Sequence, residues 1–395
     1  MPGKILLALG DYRNNYGTVL QAFATYRKIS DMGYDAEAID FTNLKKSIRN
    51  RKLRYFAGKI FDASVIQDKG RIAVSKFYKL FNPEYRRGHS RRGKLFDTFR
   101  REMIKRSRPF ESWDDLSESC RRYSAVLVGS DQVWLPSQII GDFFTLNFVP
   151  DEVKRISYAS SFGVSYVEKA QEDKARKFLS RINHLSVREK SGQEIVKRLT
   201  GRDAELVCDP TLLLTADEWN TALVNRSSIE QGRGDYVFCY FLGVNDWQRK
   251  FVRELADKVG LPVIALPNLD QYIPYDNSGW AEEMPYDISP SDFLRLLKNA
   301  AYVCTDSFHG TMFSLIFGKK FFTFRRFPGK ETLSTNTRIE SAAENFGIKS
   351  RLASENDTVD SMLARELDFQ SVQKRIHDFR ESSLKFLRES LEAQS

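Results

Sequence analysis

Cysteine, histidine and long apolar runs are all scarce in this chain. Its four cysteines, Cys120, Cys208, Cys239 and Cys304, include no CxxC pair. That excludes the close thiol spacing of a structural zinc site and predicts buried, reduced thiols with no metal. No run approaches the ~18 apolar residues that a membrane span needs. The apolar stretch Lys4 to Leu9 is too short for a signal sequence and lacks a cleavage site, so a cytoplasmic protein is expected. The first strand-helix unit has neither GxGxxG spacing nor a Walker lysine, which removes support for a dinucleotide or P-loop nucleotide site. Acidic residues are scarce in one place only. From Leu44 to Phe110 there are 21 Lys and Arg against 5 Asp and Glu, a net of +16 in a chain whose total is +9. Such a block can attract nucleic acid, an anionic membrane face or an anionic substrate.

What is present is a folded α/β pattern. At 395 residues the chain exceeds what one hydrophobic core usually serves, and its 42% apolar content is that of a globular protein. Its most informative stretch is Ala300 to Phe324. Ala301 to Cys304 reads as a buried strand, and Thr305, Asp306 and Ser307 are residue types that cap a helix. Met312, Phe313, Ile316 and Phe317 follow at helical spacing, Gly318 supplies the stop, and Phe321 to Phe324 reads as the next strand. His309 falls in the first helical turn, where unpaired N–H groups and the dipole favour an anion. The other three histidines, His89, His184 and His377, have no comparable setting.

The same grammar repeats along the chain. Lys4 to Leu9, Ala36 to Phe41, Ser124 to Val128, Arg155 to Ala159, Leu185 to Val187 and Tyr236 to Phe241 read as strands, each ending in small or polar residues, where open α/β sheets place their ligands. The order predicts an N-terminal Rossmann-like domain over 1–214, a second over 215–360, and C-terminal helices over 361–395, with a cleft between the two domains. A basic helical insertion at about 44–118 interrupts the first domain. No recognised nucleic-acid motif accompanies its charge, so an anionic lipid surface is the sharper expectation and nucleic acid is not expected.

Six strand-end motifs occur in a fixed order: Asn14-Asn15-Tyr16-Gly17-Thr18-Val19-Leu20-Gln21, Gly129-Ser130-Asp131-Gln132-Val133-Trp134, Ser157 to Gly163, Ser186-Val187-Arg188-Glu189, Asp209 to Leu214, and Asp306-Ser307-Phe308-His309-Gly310-Thr311. On these the chain resembles the polysaccharide pyruvyl transferase family from about residue 4 to 350. The resemblance implies a fold like the two-domain GT-B glycosyltransferases, with phosphoenolpyruvate as co-substrate, no other cofactor, and a sugar acceptor that receives pyruvate as a cyclic ketal. Well-known members place Arg-Leu before the histidine. Here Ser307-Phe308 precede His309, so the histidine carries over and the arginine does not. Arg188 matches the family's Ser-x-Arg-Glu arginine, and Lys330 falls where some members have a functional lysine. Arg325, Arg326 and Arg338 are further candidates from this sequence alone.

The donor carries a carboxylate and a phosphate, which fork-shaped arginines suit. Arg188, Lys330 and either Arg325 or Arg338 are expected to bind it, with Ser307 and Gly310 of the motif. His309, with a free imidazole value of ~6.5, is the expected catalytic residue for proton exchange or for the departing phosphate. Asp131 is the candidate for taking protons from the sugar, though Asp after Gly-Ser is also a good turn former. Asn15, Gly17, Gln132 and Trp134 are expected around the acceptor, Trp134 either stacking on a sugar or packing in the core. The acceptor is expected on an undecaprenyl-diphosphate lipid, with the protein peripheral on the inner membrane face. Two other readings stay open. One is a GT-B glycosyltransferase with a nucleotide-sugar donor. The other is a catalytically silent scaffold, which charge reversal at Arg86, Arg87, Arg91 and Arg92 would disrupt.

Overall fold

The computed structural model describes residues 3–57, 80–229, 234–268, 278–326 and 337–393, together with 74, 77 and 273. Twelve short strands carry it: β1 Lys4–Ala8, β2 Asp35–Asp40, β3 Arg106–Pro109, β4 Ala125–Val128, β5 Lys154–Ser157, β6 Ser186–Val187, β7 Glu205–Leu206, β8 Val237–Tyr240, β9 Val263–Ala265, β10 Tyr302–Thr305, β11 Lys320–Phe324 and β12 Leu352–Ala353. β1, β4 and β8 are near-continuous apolar runs because helices cover both faces of their sheets.

Two five-stranded sheets form, both wholly parallel, in the orders β3-β2-β1-β4-β5 and β12-β11-β10-β8-β9. β6 and β7 continue beyond β5 through the single bridges Ile156 to His184 and Ser160 to Val187. Strand order reverses between β1 and β4 in the first sheet and between β8 and β10 in the second. Open α/β sheets bind ligands outside the carboxyl ends at such a reversal, where the loops part and leave a crevice. Here the two crevices meet.

The halves are joined by apolar packing. Tyr16, at the start of the first helix (Tyr16–Asp31), stacks on Phe293 at 4.5 Å and donates to the Ile288 carbonyl at 2.8 Å. Burial pushes its phenol up to about 12. Trp219 lies between Phe23 and Phe313. Of the C-terminal helices expected over 361–395, the helix Phe369–Glu392 donates from Gln373 Nε2 to the Leu315 carbonyl near one end, and near the other its Leu391 carbonyl accepts from Lys154 Nζ at 2.8 Å. It therefore crosses back from the second half to the first.

The basic insertion is only partly an insertion. Helices Lys45–Ala57 and Pro83–Met103 frame it, but β3 is the edge strand of the first sheet. Its sequence, Arg-Ser-Arg-Pro, has no apolar alternation because one side faces solvent and a proline is tolerated at an edge. Arg92 of the second helix is buried and donates to the carbonyls of Tyr286, Pro267 and Pro285, so this basic residue ties the halves together and is not available to lipid. Among the described residues no helix is long and apolar enough to cross a membrane.

Candidate active site

The loop after β4 presents Asp131 with φ +74°, in the left-handed region that costs a non-glycine residue about 1–2 kcal/mol. The surrounding backbone holds it there: the Asp131 carbonyl accepts from Ser161 N–H at 3.0 Å beside a single bridge to Ser160. Held strain of this kind marks positions where the direction of a side chain matters. The carboxylate accepts from Thr18 Oγ1 at 2.9 Å and lies 3.6 Å from Arg188 Nη2 and 3.5 Å from Arg338 Nη1. Burial raises its pKa, but the charges of His309, Arg188 and Arg338 and the Thr18 bond outweigh this and hold it at about 2.

His309 enters from the other half. Thr305 Oγ1 donates to the Tyr240 carbonyl and accepts from Ser307 N–H, joining β8 to the end of β10. Asp306 accepts the N–H groups of Leu242 and Gly243, each at 2.7 Å, and fixes the loop after β8. Ser307 caps the helix Phe308–Ile316, accepting from Gly310 N–H at 3.3 Å. His309, 5% exposed, places Nε2 3.5 Å from Asp209 Oδ2. Asp209 is buried, takes both the N–H and the hydroxyl of Thr211, and pairs with Arg188 Nη1. Burial pushes its carboxyl up, yet His309, Arg188 and these bonds hold it far below the usual carboxylate range. On the opposite side Gly17 backs the imidazole so closely that a Cβ there would lie 2.1 Å from His309 Nδ1.

Between these loops is a cavity of about 140 Å³, walled by Tyr12, Arg13 and Asn15 after β1, Asp131 and Gln132 after β4, Ser307 to His309 after β10, and Arg326 and Arg338 beyond β11. Three arginines face one carboxylate in its lining. Arg338 is buried, and burial together with Arg188's charge draws its pKa down to about 10. A cation short of counter-charge in a buried wall is stabilised by an arriving anion. Arg338 Nε and Gln132 Nε2 are buried without a hydrogen-bond partner among the described residues.

A model of the polysaccharide pyruvyl transferase family matches residues 15–326. The chain belongs to that family. Membership makes it a transferase with a sugar acceptor, and the match takes in Asn15, Asp131, Arg188, His309 and Arg326 while ending before Arg338. The chain is similar in structure to a protein described as a UDP-N-acetylglucosamine 2-epimerase from Listeria monocytogenes, at 10% identity and TM-score 0.50 over 99% of this chain and 97% of that one. It is similar to UGT89C1 from Arabidopsis thaliana at 11% identity and TM-score 0.50, over 99% of each chain. These likenesses establish the GT-B-type fold. No curated protein matches the chain.

Within this pyruvyl transferase the expected residues separate. His309, Asp131, Asn15, Gln132, Ser307 and Arg338 share the cavity. Arg188 does not line it: its guanidinium sits behind Phe308, 4.6 Å from the ring centroid, and serves Asp209 and Asp131. Trp134 is fully buried against Phe162 and Phe178 with Nε1 donating to the Phe144 carbonyl, so it has no face for a sugar. Gly310 packs on Thr305, where a Cβ would meet Oγ1 at 2.5 Å. Arg325 points outward to Glu340 at 2.9 Å, and its neighbour Arg326 takes the cavity wall instead. Lys330 lies outside the described residues. Arg13, Thr18 and Asp209 were not singled out in the sequence; Thr18 and Asp209 lie inside its motifs, whereas Arg13 has no signal beyond its place in the first loop.

The depressed acid supplies a test. An Asp131 carboxyl at about 2, against ~3.9 when unfolded, stabilises the fold by about 2–3 kcal/mol above pH ~5, and this is lost as pH falls through 4 towards 2. Asn mimics the protonated acid and tolerates positive φ. Denaturant titration of Asp131→Asn should therefore show a deficit of that size at pH 7 that shrinks to about a third of it at pH 2.5. Equal stability at pH 7 would mean that the arginines do not act on this carboxylate.

Proposed function

We propose that the protein transfers the pyruvyl group of phosphoenolpyruvate onto two hydroxyls of a sugar, forming a cyclic ketal on a lipid-linked precursor of a surface polysaccharide. The observation that supports it is the cavity wall: three arginines and a helix start against one carboxylate, with an imidazole among them. In this reading Arg326 and Arg338 hold the donor's phosphate and carboxylate, aided by the N–H groups at the start of the His309 helix. Arg326 takes the place of the arginine that the motif lacks before Phe308.

The reaction gives the methylene carbon a proton and adds the first sugar hydroxyl to the central carbon. Phosphate then leaves with the C–O electron pair, and the second hydroxyl closes the ring. One hydroxyl proton balances the new methyl group and the other leaves with phosphate. In this reading His309, whose Nε2 lies 3.5 Å from Asp209 Oδ2, passes a proton to the methylene carbon or to the departing phosphate. Positive charge develops at the central carbon. Asp131, ionised throughout the physiological range, suits the stabilising of that charge better than proton abstraction, since a carboxylate so acidic is a weak base in the donor-free site. Asn15 and Gln132 then bind acceptor hydroxyls.

Calorimetric titration with phosphoenolpyruvate tests this reading, with a nucleotide-sugar panel alongside. Saturable binding is expected, weakened about tenfold in Arg326→Ala, the cost of one charge-assisted contact of about 1.5 kcal/mol, and within twofold of wild type in Arg325→Ala. Binding of a nucleotide sugar with none of phosphoenolpyruvate would overturn it in favour of a glycosyltransferase.

A further inference from the structure

Beside the cleft, on the first half, lies a second and larger hollow of about 700 Å³. Its floor is aromatic and aliphatic: Phe41 and Phe143 pack at 4.8 Å, Phe144 adjoins Phe143, and Ile48 completes the surface. Its rim is Lys45, Lys46, Arg49 and Lys52 of the helix Lys45–Ala57, a segment without a single acidic residue. Among the described residues no carboxylate lines it. Of the acids nearby, Asp11, Asp40 and Asp97 line an adjoining depression, Asp40 being occupied with Thr42 N–H, and Asp142, next to Phe143, pairs with Arg51 of the same helix at 3.2 Å.

Tyr12 and Phe144 belong to the lining of both this trough and the cleft. The partition between them is a chain of polar contacts: Lys52 Nζ donates to Gln138 Oε1, and Gln138 Nε2 donates to the Tyr12 hydroxyl at 2.7 Å. Lys52 also stands 5.7 Å from the Tyr12 ring, and Lys45 5.6 Å from that of Phe41. Burial, with Arg13 nearby, pulls the Lys52 amine down to about 8, so this cation too is short of counter-charge.

Four cations over an apolar floor suit a molecule that is anionic at one point and apolar beyond it. We propose that the trough is a second acceptor subsite, holding a diphosphate on Lys45, Lys46, Arg49 and Lys52 and the first isoprenoid units of its tail along Phe41 and Ile48. The sugar attached to that diphosphate passes Tyr12 into the cleft. This placement rests on the reading of the cleft as the sugar site, but the trough can be tested without donor or sugar. A neutral sugar polymer could stack on the aromatic floor but would leave the cluster of cations without counter-charge.

The probe is farnesyl diphosphate below its micellar concentration, titrated by calorimetry into the full chain beside inorganic pyrophosphate and farnesol. Farnesyl diphosphate is expected to bind saturably, at least tenfold more tightly than either fragment. Lys46→Ala/Arg49→Ala, both exposed and remote from the core, should weaken it at least tenfold while phosphoenolpyruvate binding stays within twofold. Pyrophosphate binding as well as the prenyl compound would overturn the subsite for a tail. Absence of binding, or binding that Arg338→Ala abolishes and the double variant leaves intact, would overturn the trough. Farnesyl diphosphate binding without any phosphoenolpyruvate binding would uphold the trough and sink the proposed reaction.

Discussion

Gly17→Ala is expected to lower kcat/KM for pyruvyl transfer by a hundredfold or more in a protein that still folds. The backbone at this position is helical, so alanine suits it better than glycine does, by about 1 kcal/mol. Only the methyl group is unwelcome. It would lie 2.1 Å from Nδ1 and 2.4 Å from Cγ of His309, while real Cβ contacts begin above 3 Å. The imidazole must shift by about an ångström, and displacement on that scale costs about 10²-fold when a reacting group is concerned. Overpacking costs about 1–3 kcal/mol, part of which the gain in helix propensity offsets. Gly17→Ala/His309→Gly separates the two effects: the His309 Cβ would itself lie 2.6 Å from the added methyl, so the whole side chain must go before there is room, and adding Gly17→Ala to His309→Gly should then cost no stability while activity stays lost. Steady-state rates with denaturant titrations on the four proteins of the cycle decide it. Activity of Gly17→Ala within threefold of wild type would remove His309 from the chemistry.

That glycine shows how far the sequence could be read. Asn14 to Gln21 and Asp306 to Thr311 were legible as strand-end motifs, because caps, turns and apolar periods are local. Their meeting across the cleft was not, since it depends on how two sheets face each other. The same limit explains the arginines. β11 is buried on both faces from Phe321 to Phe324, so it carries no alternation from which to tell that Arg326 turns inward and Arg325 outward. Arg188 sits in a family motif and its importance was readable. Its station behind Phe308 was not, because a buried arginine is told from a ligand-binding one only by the carboxylates around it, here Asp131 and Asp209. Trp134 follows a turn as a sugar-stacking residue could, and only its partners Phe162 and Phe178 assign it to the core.

Arg92→Met should destabilise the protein by about 3–5 kcal/mol, although it removes one charge from a segment with a large excess of them. In sequence Arg91 and Arg92 are equivalent members of a basic run. In the fold Arg91 is half exposed and pairs with Asp287, a contact worth under about 1 kcal/mol. Arg92 is 4% exposed, supplies three donors to the carbonyls of Pro267, Pro285 and Tyr286, and lies 5.8 Å from the Tyr16 ring centroid. Methionine fills much of its volume but leaves those carbonyls without their donors. The effect reaches the site through the same helix, because Arg100 donates to the carbonyls of Asp11 and Arg13 and so fixes the loop that walls the cleft. Arg92→Met is therefore expected to raise KM for both substrates as well as to unfold at lower denaturant, whereas Arg91→Met should do neither. Arg92→Lys should not restore the wild-type values, since one ammonium cannot reach three carbonyls in fork geometry. If Arg91→Met and Arg92→Met agree within about 0.5 kcal/mol, the strut does not hold the halves. A charge-reversal test along this helix must therefore spare Arg92 and be confined to Arg86, Arg87 and Arg91, all exposed, because reversing Arg92 would break the join between the domains and imitate a loss of binding.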